Sequence, residues 1–125
     1  MKSKKILIIE DEAALLYALK ARLTVDGYSI TTVDSGEKAL EALEKDEPDL
    51  IVLDIILPQM SGYDFLKEIK ENDKYRDIPV VIMSNLSKKG DIEKGLKLGA
   101  KDYLIKTEFN LDDFINKIKK VIKNG

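Results

Sequence analysis

The sequence predicts one α/β domain in which helices cover both faces of a parallel sheet. Short apolar segments alternate with segments of helical periodicity along the 125 residues, and this order is typical of consecutive βα units. The runs ILII and LIVL contain no polar alternation, which indicates strands that are buried on both faces. Because crossovers between parallel strands are right-handed, we expect a doubly wound sheet of five strands spanning residues 1–125.

The first two βα units occupy the N-terminal part of the chain. An apolar strand is predicted at Lys5–Ile9, followed by a helix at Ala13–Val25 that stops at Gly27, a residue common just past helix ends. The β-branched segment 28–33 predicts the second strand. Ser35 is then a suitable N-cap for the second helix.

The third and fourth units follow the same alternation. Leu50–Leu53 predicts a buried strand, and the apolar spacing over residues 65–69 predicts a helix after the loop marked by Pro58. The next apolar run, 79–83, predicts the fourth strand. A fourth helix is expected to end before Gly99.

The fifth unit completes the sheet. Asp102–Ile105 predicts a short strand, and Asn110 is a suitable cap for a last helix whose apolar face includes Phe114, Ile118 and Ile122. No internal repeat or low-complexity segment interrupts the pattern, so a single domain accounts for the chain.

Composition excludes several classes of function. The 21 Lys and Arg residues against 23 Asp and Glu give a net charge of −2, which argues against direct binding of nucleic acid by phosphate neutralisation. The absence of Cys and His excludes disulfides, thiol chemistry and imidazole ligands, so any metal must be bound by oxygen. No apolar run approaches the roughly 18 residues of a membrane span, and we expect a cytoplasmic protein that does not enter the membrane.

Polar residues follow four of the predicted strands. Glu10 and Asp11 come after the first, Asp54 after the third, Ser84 after the fourth and Lys106 after the fifth. In open α/β sheets, ligands bind outside the carboxyl ends of the strands where the strand order reverses. These five side chains are therefore expected to converge on one edge of the sheet.

The grouped residue types point to metal-assisted phosphoryl chemistry. Three carboxylates in one pocket repel each other unless a cation lies among them, and Mg²⁺ suits a few hard oxygen ligands together with a phosphate oxygen. Asp54 is the candidate nucleophile, because an aspartate can form an acyl phosphate when the incoming oxygens are neutralised. Lys106 would supply a further cation, and the Ser84 hydroxyl could donate to a phosphoryl oxygen.

The segments ILIIEDE, IVLDIILPQMSG, VVIMSN and GAKDYLIK resemble the receiver domain of two-component response regulators over essentially the whole chain. The resemblance implies a flavodoxin-like fold of strand order 2-1-3-4-5. It also implies Mg²⁺ binding by Asp11, Asp54 and the backbone carbonyl of Ile56, with Glu10 acting on metal-bound water. Asp54 would then receive a phosphoryl group from a sensor histidine kinase or a histidine phosphotransfer protein.

The same resemblance implies how the signal would be read. Ser84 and Tyr103 correspond to a coupled switch pair, in which phosphorylation draws the Ser84 hydroxyl inward and the aromatic ring rotates into the vacated space. The fourth helix, fifth strand and fifth helix would then bind an output partner that the sequence does not identify, and phosphorylation could also drive dimerisation. No effector segment follows Gly125, so we expect a stand-alone receiver of the chemotaxis type, although a receiver excised from a longer protein would look the same.

The sequence departs from the family pattern at several positions. Glu10 replaces the commoner Asp, and Thr107 follows Lys106 where the family usually has a cis proline, so a trans bond is expected because a non-proline cis bond costs about 3 kcal/mol. Ile56 and Leu86 stand at positions that tune water access to the acyl phosphate. Neither aliphatic side chain can orient water by hydrogen bonding, so we expect slow autodephosphorylation and no turnover of an external substrate.

Three other functions remain as alternatives. The first is a binding module of the same fold that is no longer phosphorylated. The presence of all five site residues argues against this alternative. The second is a flavin- or nucleotide-binding domain, but its first loop should present Gly, Ser or Thr to phosphate, whereas this chain has EDEAAL. The third is a phosphatase with an Asp nucleophile, which should carry a second acid where Ile56 stands.

Overall fold

The five strands form one parallel sheet in the order β2-β1-β3-β4-β5, which confirms the predicted topology. The computed structural model describes residues 3–124, so the outer limits of the predicted domain lie outside the described residues. The elements are β1 (Lys5–Ile9), α1 (Ala13–Val25), β2 (Ser29–Val33), α2 (Gly36–Lys45), β3 (Leu50–Leu53), α3 (Gly62–Lys70), β4 (Val80–Ser84), α4 (Lys89–Lys97), β5 (Asp102–Ile105), a 3₁₀ turn (Lys106–Glu108) and α5 (Leu111–Asn124).

The register of the sheet aligns the ends of its central strands. Ile9 at the end of β1 pairs with Leu53 at the end of β3, and on the far side Ser84 of β4 pairs with Ile105 of β5. Residues that directly follow these positions therefore leave the sheet at the same carboxyl edge. Glu10 and Asp54 emerge from adjacent strands.

Two hydrophobic cores lie on opposite faces of the sheet. Alternate residues of a strand point to opposite faces, so Leu7 of β1 belongs to the core under α2 and α3, which contains the fully buried Phe65. Its neighbour Ile8 belongs to the other core, with Leu19 of α1 and Ile115 of α5. Burial on both faces explains the unbroken apolar runs of the central strands.

The helix ends follow local sequence signals. Ser35 Oγ accepts a hydrogen bond from the Lys38 N–H, and Asn110 and Asp113 exchange side chain to backbone hydrogen bonds at the start of α5. Gly27 has a φ of 97° just beyond α1, a conformation that glycine adopts without steric cost. Among the helices of residues 3–124, none has the length and apolar character needed to cross a membrane.

The fourth strand is displaced by one residue from its predicted limits. Pro79 has no N–H to donate to the sheet, so the strand begins at Val80, although the Pro79 carbonyl accepts a hydrogen bond from Ile51 N–H at 3.0 Å. At the other end, Ser84 is the last residue of β4 and not the first residue beyond it. Tyr28 likewise lies just outside β2.

Candidate functional site

Glu10, Asp54 and Lys106 meet at the carboxyl edge of the sheet, as the sequence predicts. The Lys106 Nζ atom lies 2.6 Å from Glu10 Oε1 and 3.0 Å from Asp54 Oδ2. The two acids are buried, with exposures of 3% for Glu10 and 5% for Asp54. The ammonium group of Lys106 therefore neutralises two carboxylates that emerge from neighbouring strands.

Burial and ion pairing shift the protonation equilibria of this cluster. Burial raises the pKa of Glu10 above its usual value, and the hydrogen bond from Lys106 offsets part of that increase. Burial alone would lower the pKa of Lys106, but its hydrogen bonds to Glu10 and Asp54 outweigh burial and raise that pKa. Lys106 is therefore positively charged throughout the physiological pH range.

The carboxylates of Glu10, Asp11 and Asp54 could together bind a metal ion. Each offers one oxygen atom, and the three atoms lie within 4.8 Å of one another. Asp11 is exposed whereas the other two are buried, so the cluster opens to solvent on one side. A few carboxylate oxygens with an open side suit Mg²⁺, which usually retains several waters.

Ile56 lies next to the Asp54 carboxylate. Its N–H donates to Asp54 Oδ1 at 3.3 Å, so its backbone is adjacent to the acid. The side chain of Ile56 is 55% exposed and faces solvent beside the site. Coordination of a metal by the Ile56 carbonyl stays a prediction.

A glycine brings α3 close behind Asp54. The Gly62 N–H donates to the Ile55 carbonyl at 2.8 Å, and a Cβ atom at Gly62 would lie 2.3 Å from the Asp54 carbonyl oxygen. Such a contact with backbone cannot be relieved by moving a side chain. Glycine at this position therefore allows the loop after β3 to fold back against the strand end.

Ser84 and Tyr103 are joined through the backbone of Leu86. Ser84 is fully buried and its Oγ accepts from the Leu86 N–H at 3.2 Å, while the Tyr103 hydroxyl donates to the Leu86 carbonyl at 2.7 Å. Burial raises the pKa of Tyr103, and the nearby Ser84 hydroxyl offsets part of that increase. The predicted pair is therefore linked through Leu86. Within residues 3–124, no hydrogen bond of Ser84 reaches the carboxylates.

The ring of Tyr103 is buried. Tyr103 is 8% exposed, because Gly95 of α4 leaves room for its side chain. A Cβ atom at Gly95 would lie 3.0 Å from Tyr103 Cδ2. The ring is thus already directed inward, whereas the predicted switch assumed that it turns inward on phosphorylation.

The sequence reasoning missed two residues of the site. The Glu12 N–H donates to Glu10 Oε2 at 3.0 Å and its carboxylate lies 3.5 Å from Lys106 Nζ; the motif EDE contains this third acid, which was a detectable signal. Tyr63 at the start of α3 donates its hydroxyl to the Asp91 carbonyl of α4, and no sequence pattern distinguished it from an ordinary helix residue.

The peptide bond after Lys106 is trans, as expected for a non-proline residue. No cis peptide bond occurs between residues 3 and 124. Thr107 lies in the 3₁₀ turn that connects β5 to α5. This turn begins at Lys106, which directs the ammonium group back over the strand ends.

Known proteins share both the sequence pattern and the fold. The family model for the response regulator receiver domain matches residues 6–119. Probable transcriptional regulator ycf27 of Porphyridium aerugineum is 35% identical over 123 residues, which are 98% of this chain and 50% of that protein. The chain therefore spans about half the length of this curated relative.

Solved structures with this arrangement of elements cover nearly the whole chain. A putative response regulator from Chloroflexus aurantiacus J-10-fl has a TM-score of 0.89 and 26% identity, over 98% of this chain and 99% of the other. The Mn(2+)-bound form of response regulator Rcp1 has a TM-score of 0.82 and 28% identity, over 94% and 91% of the two chains. Both similarities include the strands that carry the acidic cluster.

Proposed function

The chain belongs to the response regulator receiver domain family of two-component systems, and on that premise we propose that Asp54 is its phosphoacceptor. Receiver domains are phosphoacceptor signalling domains, so the natural donor is a histidine kinase or a phosphotransfer protein. The observation that carries the assignment is the position of the Asp54 carboxylate, buried at a strand end with Lys106 Nζ at 3.0 Å. We propose residues 1–125 as one receiver unit.

The transfer requires little more than positioning and charge stabilisation. A carboxylate oxygen of Asp54 attacks phosphorus, the P–N bond to the donor histidine breaks, and the imidazole nitrogen leaves with the electron pair. Lys106 and the Ser84 hydroxyl are the groups of this chain suited to stabilise the phosphoryl oxygens. Glu10 keeps Lys106 at the strand end throughout, since their atoms lie 2.6 Å apart.

The acidic cluster is suited to Mg²⁺. Glu10, Asp11, Asp54 and the carbonyl of Ile56 would hold the ion, which when bound would neutralise charge on the phosphoryl oxygens. The mutual distance of the three carboxylates supports this assignment. The similarity to Rcp1, which was solved in a Mn(2+)-bound form, supports binding of a divalent cation.

We further propose that phosphorylation is read on the α4-β5-α5 surface. Ser84 and Tyr103 connect the site to this surface through Leu86. The output would be binding of a partner or of a second copy of the chain. A cytoplasmic location is part of the proposal, because a donor histidine acquires its phosphate from ATP inside the cell.

The experiment incubates the protein with Mg²⁺ and acetyl phosphate, phosphoramidate or a phosphorylated histidine phosphotransfer protein. Intact mass should show one added phosphoryl group that alkaline hydroxylamine removes, because hydroxylamine cleaves acyl phosphates. Asp54→Asn should abolish the adduct. Asp73→Asn is the matched control, because Asp73 is an exposed acid that pairs with Arg76 on the surface.

Two results would contradict the proposal. An adduct that persists in Asp54→Asn would place the phosphate elsewhere. A wild-type protein that remained unmodified with all three donors would favour a binding module of this fold without phosphorylation.

A further inference from the structure

Tyr63 links α3 to the first turn of α4. Its hydroxyl donates to the Asp91 carbonyl at 2.9 Å, and Lys94 Nζ lies 4.4 Å from the centre of its ring. A cation over an aromatic face is attracted electrostatically to the ring. Tyr63 therefore contacts α4 through both its hydroxyl and its ring.

The next turn of α4 packs against Tyr103. Gly95 lies four residues after Asp91, where the helix brings its backbone against the sheet. A Cβ atom at Gly95 would lie 2.7 Å from Ile82 Cδ1 and 3.0 Å from Tyr103 Cδ2. The segment Asp91–Gly95 thus contacts the Tyr63 hydroxyl at one end and the Tyr103 ring at the other.

The two phenols bind backbone carbonyls at different places. The Tyr63 hydroxyl donates to the Asp91 carbonyl of α4, and the Tyr103 hydroxyl donates to the Leu86 carbonyl in the loop before α4. Ser84 Oγ accepts from the Leu86 N–H. Tyr63 is therefore connected to Tyr103 through α4, and Tyr103 is connected to Ser84 through Leu86.

We propose that Tyr63 is a positioning residue of the switch, which holds Tyr103 inward and the first turn of α4 against α3 before any phosphoryl group is present. The Tyr63 phenol therefore favours the conformation in which the Tyr103 ring points inward. Because this conformation is already populated, phosphorylation needs little free energy to shift the remaining molecules to it. Only the consequence for signalling rests on the proposed function of Asp54.

The test removes the hydroxyl and keeps the ring, in Tyr63→Phe. The Tyr103 ring is followed by NMR with carbon-13-labelled tyrosine, its signal assigned with Tyr103→Phe, and amide hydrogen exchange is measured over residues 86–95, both without a phosphodonor. We expect the Tyr103 signal to broaden or move toward its exposed position. Exchange over these residues should accelerate roughly 2- to 10-fold, the equivalent of one net hydrogen bond.

Tyr17→Phe is the matched control, because Tyr17 is 68% exposed on α1. It should leave both measurements as in the wild type. If Tyr63→Phe also left the Tyr103 signal and the exchange rates unchanged, the proposal would be overturned. These measurements contain no phosphodonor, so failure of Asp54 to accept phosphate would not affect them.

A second variant covers the case in which Tyr63→Phe does not fold. In Tyr103→Phe, the ring signal of Tyr63 should shift because the nearby Tyr103 hydroxyl is lost, while exchange at Ile92 and Glu93 stays slow because Tyr63 still binds Asp91. An unchanged Tyr63 signal, or fast exchange at these two amides, would contradict the role assigned to Tyr63.

Discussion

Lys106 Nζ lies 2.6 Å from Glu10 Oε1, with side-chain exposures of 9% and 3%. The extra methylene of glutamate relative to aspartate lets the Glu10 carboxylate reach the lysine directly. Since both groups are removed from water, the pair depends on its mutual hydrogen bond for compensation. Lys106 therefore stabilises the acidic cluster as well as facing the proposed phosphoacceptor.

Replacing Lys106 by Met should destabilise the protein in EDTA by about 2 kcal/mol, because buried carboxylates then lose their cationic partner. Mg²⁺ should stabilise this variant more than the wild type, since no ammonium competes for the carboxylates. Urea unfolding with EDTA and with Mg²⁺ measures both effects. Lys97→Met, which changes an exposed residue of α4, is the control, and equal stability of the two variants in EDTA would contradict the prediction.

The pH dependence of stability should report the raised pKa of Glu10. Above its ordinary value of 4.5, the unfolded chain has lost a proton that folded Glu10 still binds. Glu10 therefore lowers the free energy of unfolding as pH rises, until the folded carboxyl has also ionised. In EDTA, the stability of the wild type relative to Glu10→Gln should fall as pH rises above 4.5.

A suitable control for this titration is Glu44→Gln, because Glu44 is exposed on α2. Its stability should run parallel to that of the wild type over the same range. If the difference between wild type and Glu10→Gln were independent of pH, the raised pKa would be wrong. The pKa of Lys106 is also raised, and it affects stability at the alkaline end of the pH range. The stabilisation that Lys106 contributes is lost as pH rises above the ordinary lysine pKa of 10.5.

Gly95→Ala should destabilise the protein by about 1–3 kcal/mol, the usual cost of forcing an extra methyl group into a packed interior. The new Cβ would meet Ile82 and Tyr103, so the Tyr103 ring should also become more exposed. Thermal unfolding and the exposure of Tyr103 are the measurements. Gly90→Ala in the same helix has no atom within 4 Å of its Cβ and should raise stability by up to about 1 kcal/mol.

Ile56→Asn should accelerate loss of the phosphoryl group by about tenfold, because a carboxamide can orient an attacking water where an aliphatic side chain cannot. This prediction depends on phosphorylation of Asp54. The position tolerates change, since the side chain is 55% exposed. The rate of dephosphorylation is measured from the decay of the phosphorylated mass, with Ile56→Val as the aliphatic control. Equal decay rates in the wild type and both variants would contradict the prediction.

The strands were the most predictable part of the fold. β1, β3 and β5 have the limits that the sequence predicts, because strands buried on both faces need unbroken apolar runs. The one-residue displacement of β4 arises at Pro79, where the missing N–H delays the start of the ladder. Local sequence features therefore explain both the correct limits of β1, β3 and β5 and the one-residue error at β4.

The positions of the site residues were predictable, but their partners were not. Parallel strands must bring Glu10, Asp54 and Lys106 to one edge, since all follow strand ends. The sequence did not indicate that Lys106 lies closer to Glu10 than to Asp54, or that Glu12 joins them. Such contacts depend on side-chain reach and on the turn after β5.

The sequence by itself determined the doubly wound topology, the family and the edge of the sheet that carries the acids, because apolar periodicity and strand-end residues encode them directly. Only the tertiary structure decided that the Tyr103 ring is buried against α4 and that the Tyr63 hydroxyl binds the Asp91 carbonyl of the same helix. Those contacts join α3, α4 and β5. They form because Gly95 has no side chain, which lets α4 approach Ile82 and Tyr103 of the sheet closely. Packing between distant elements has no local signal in a single sequence.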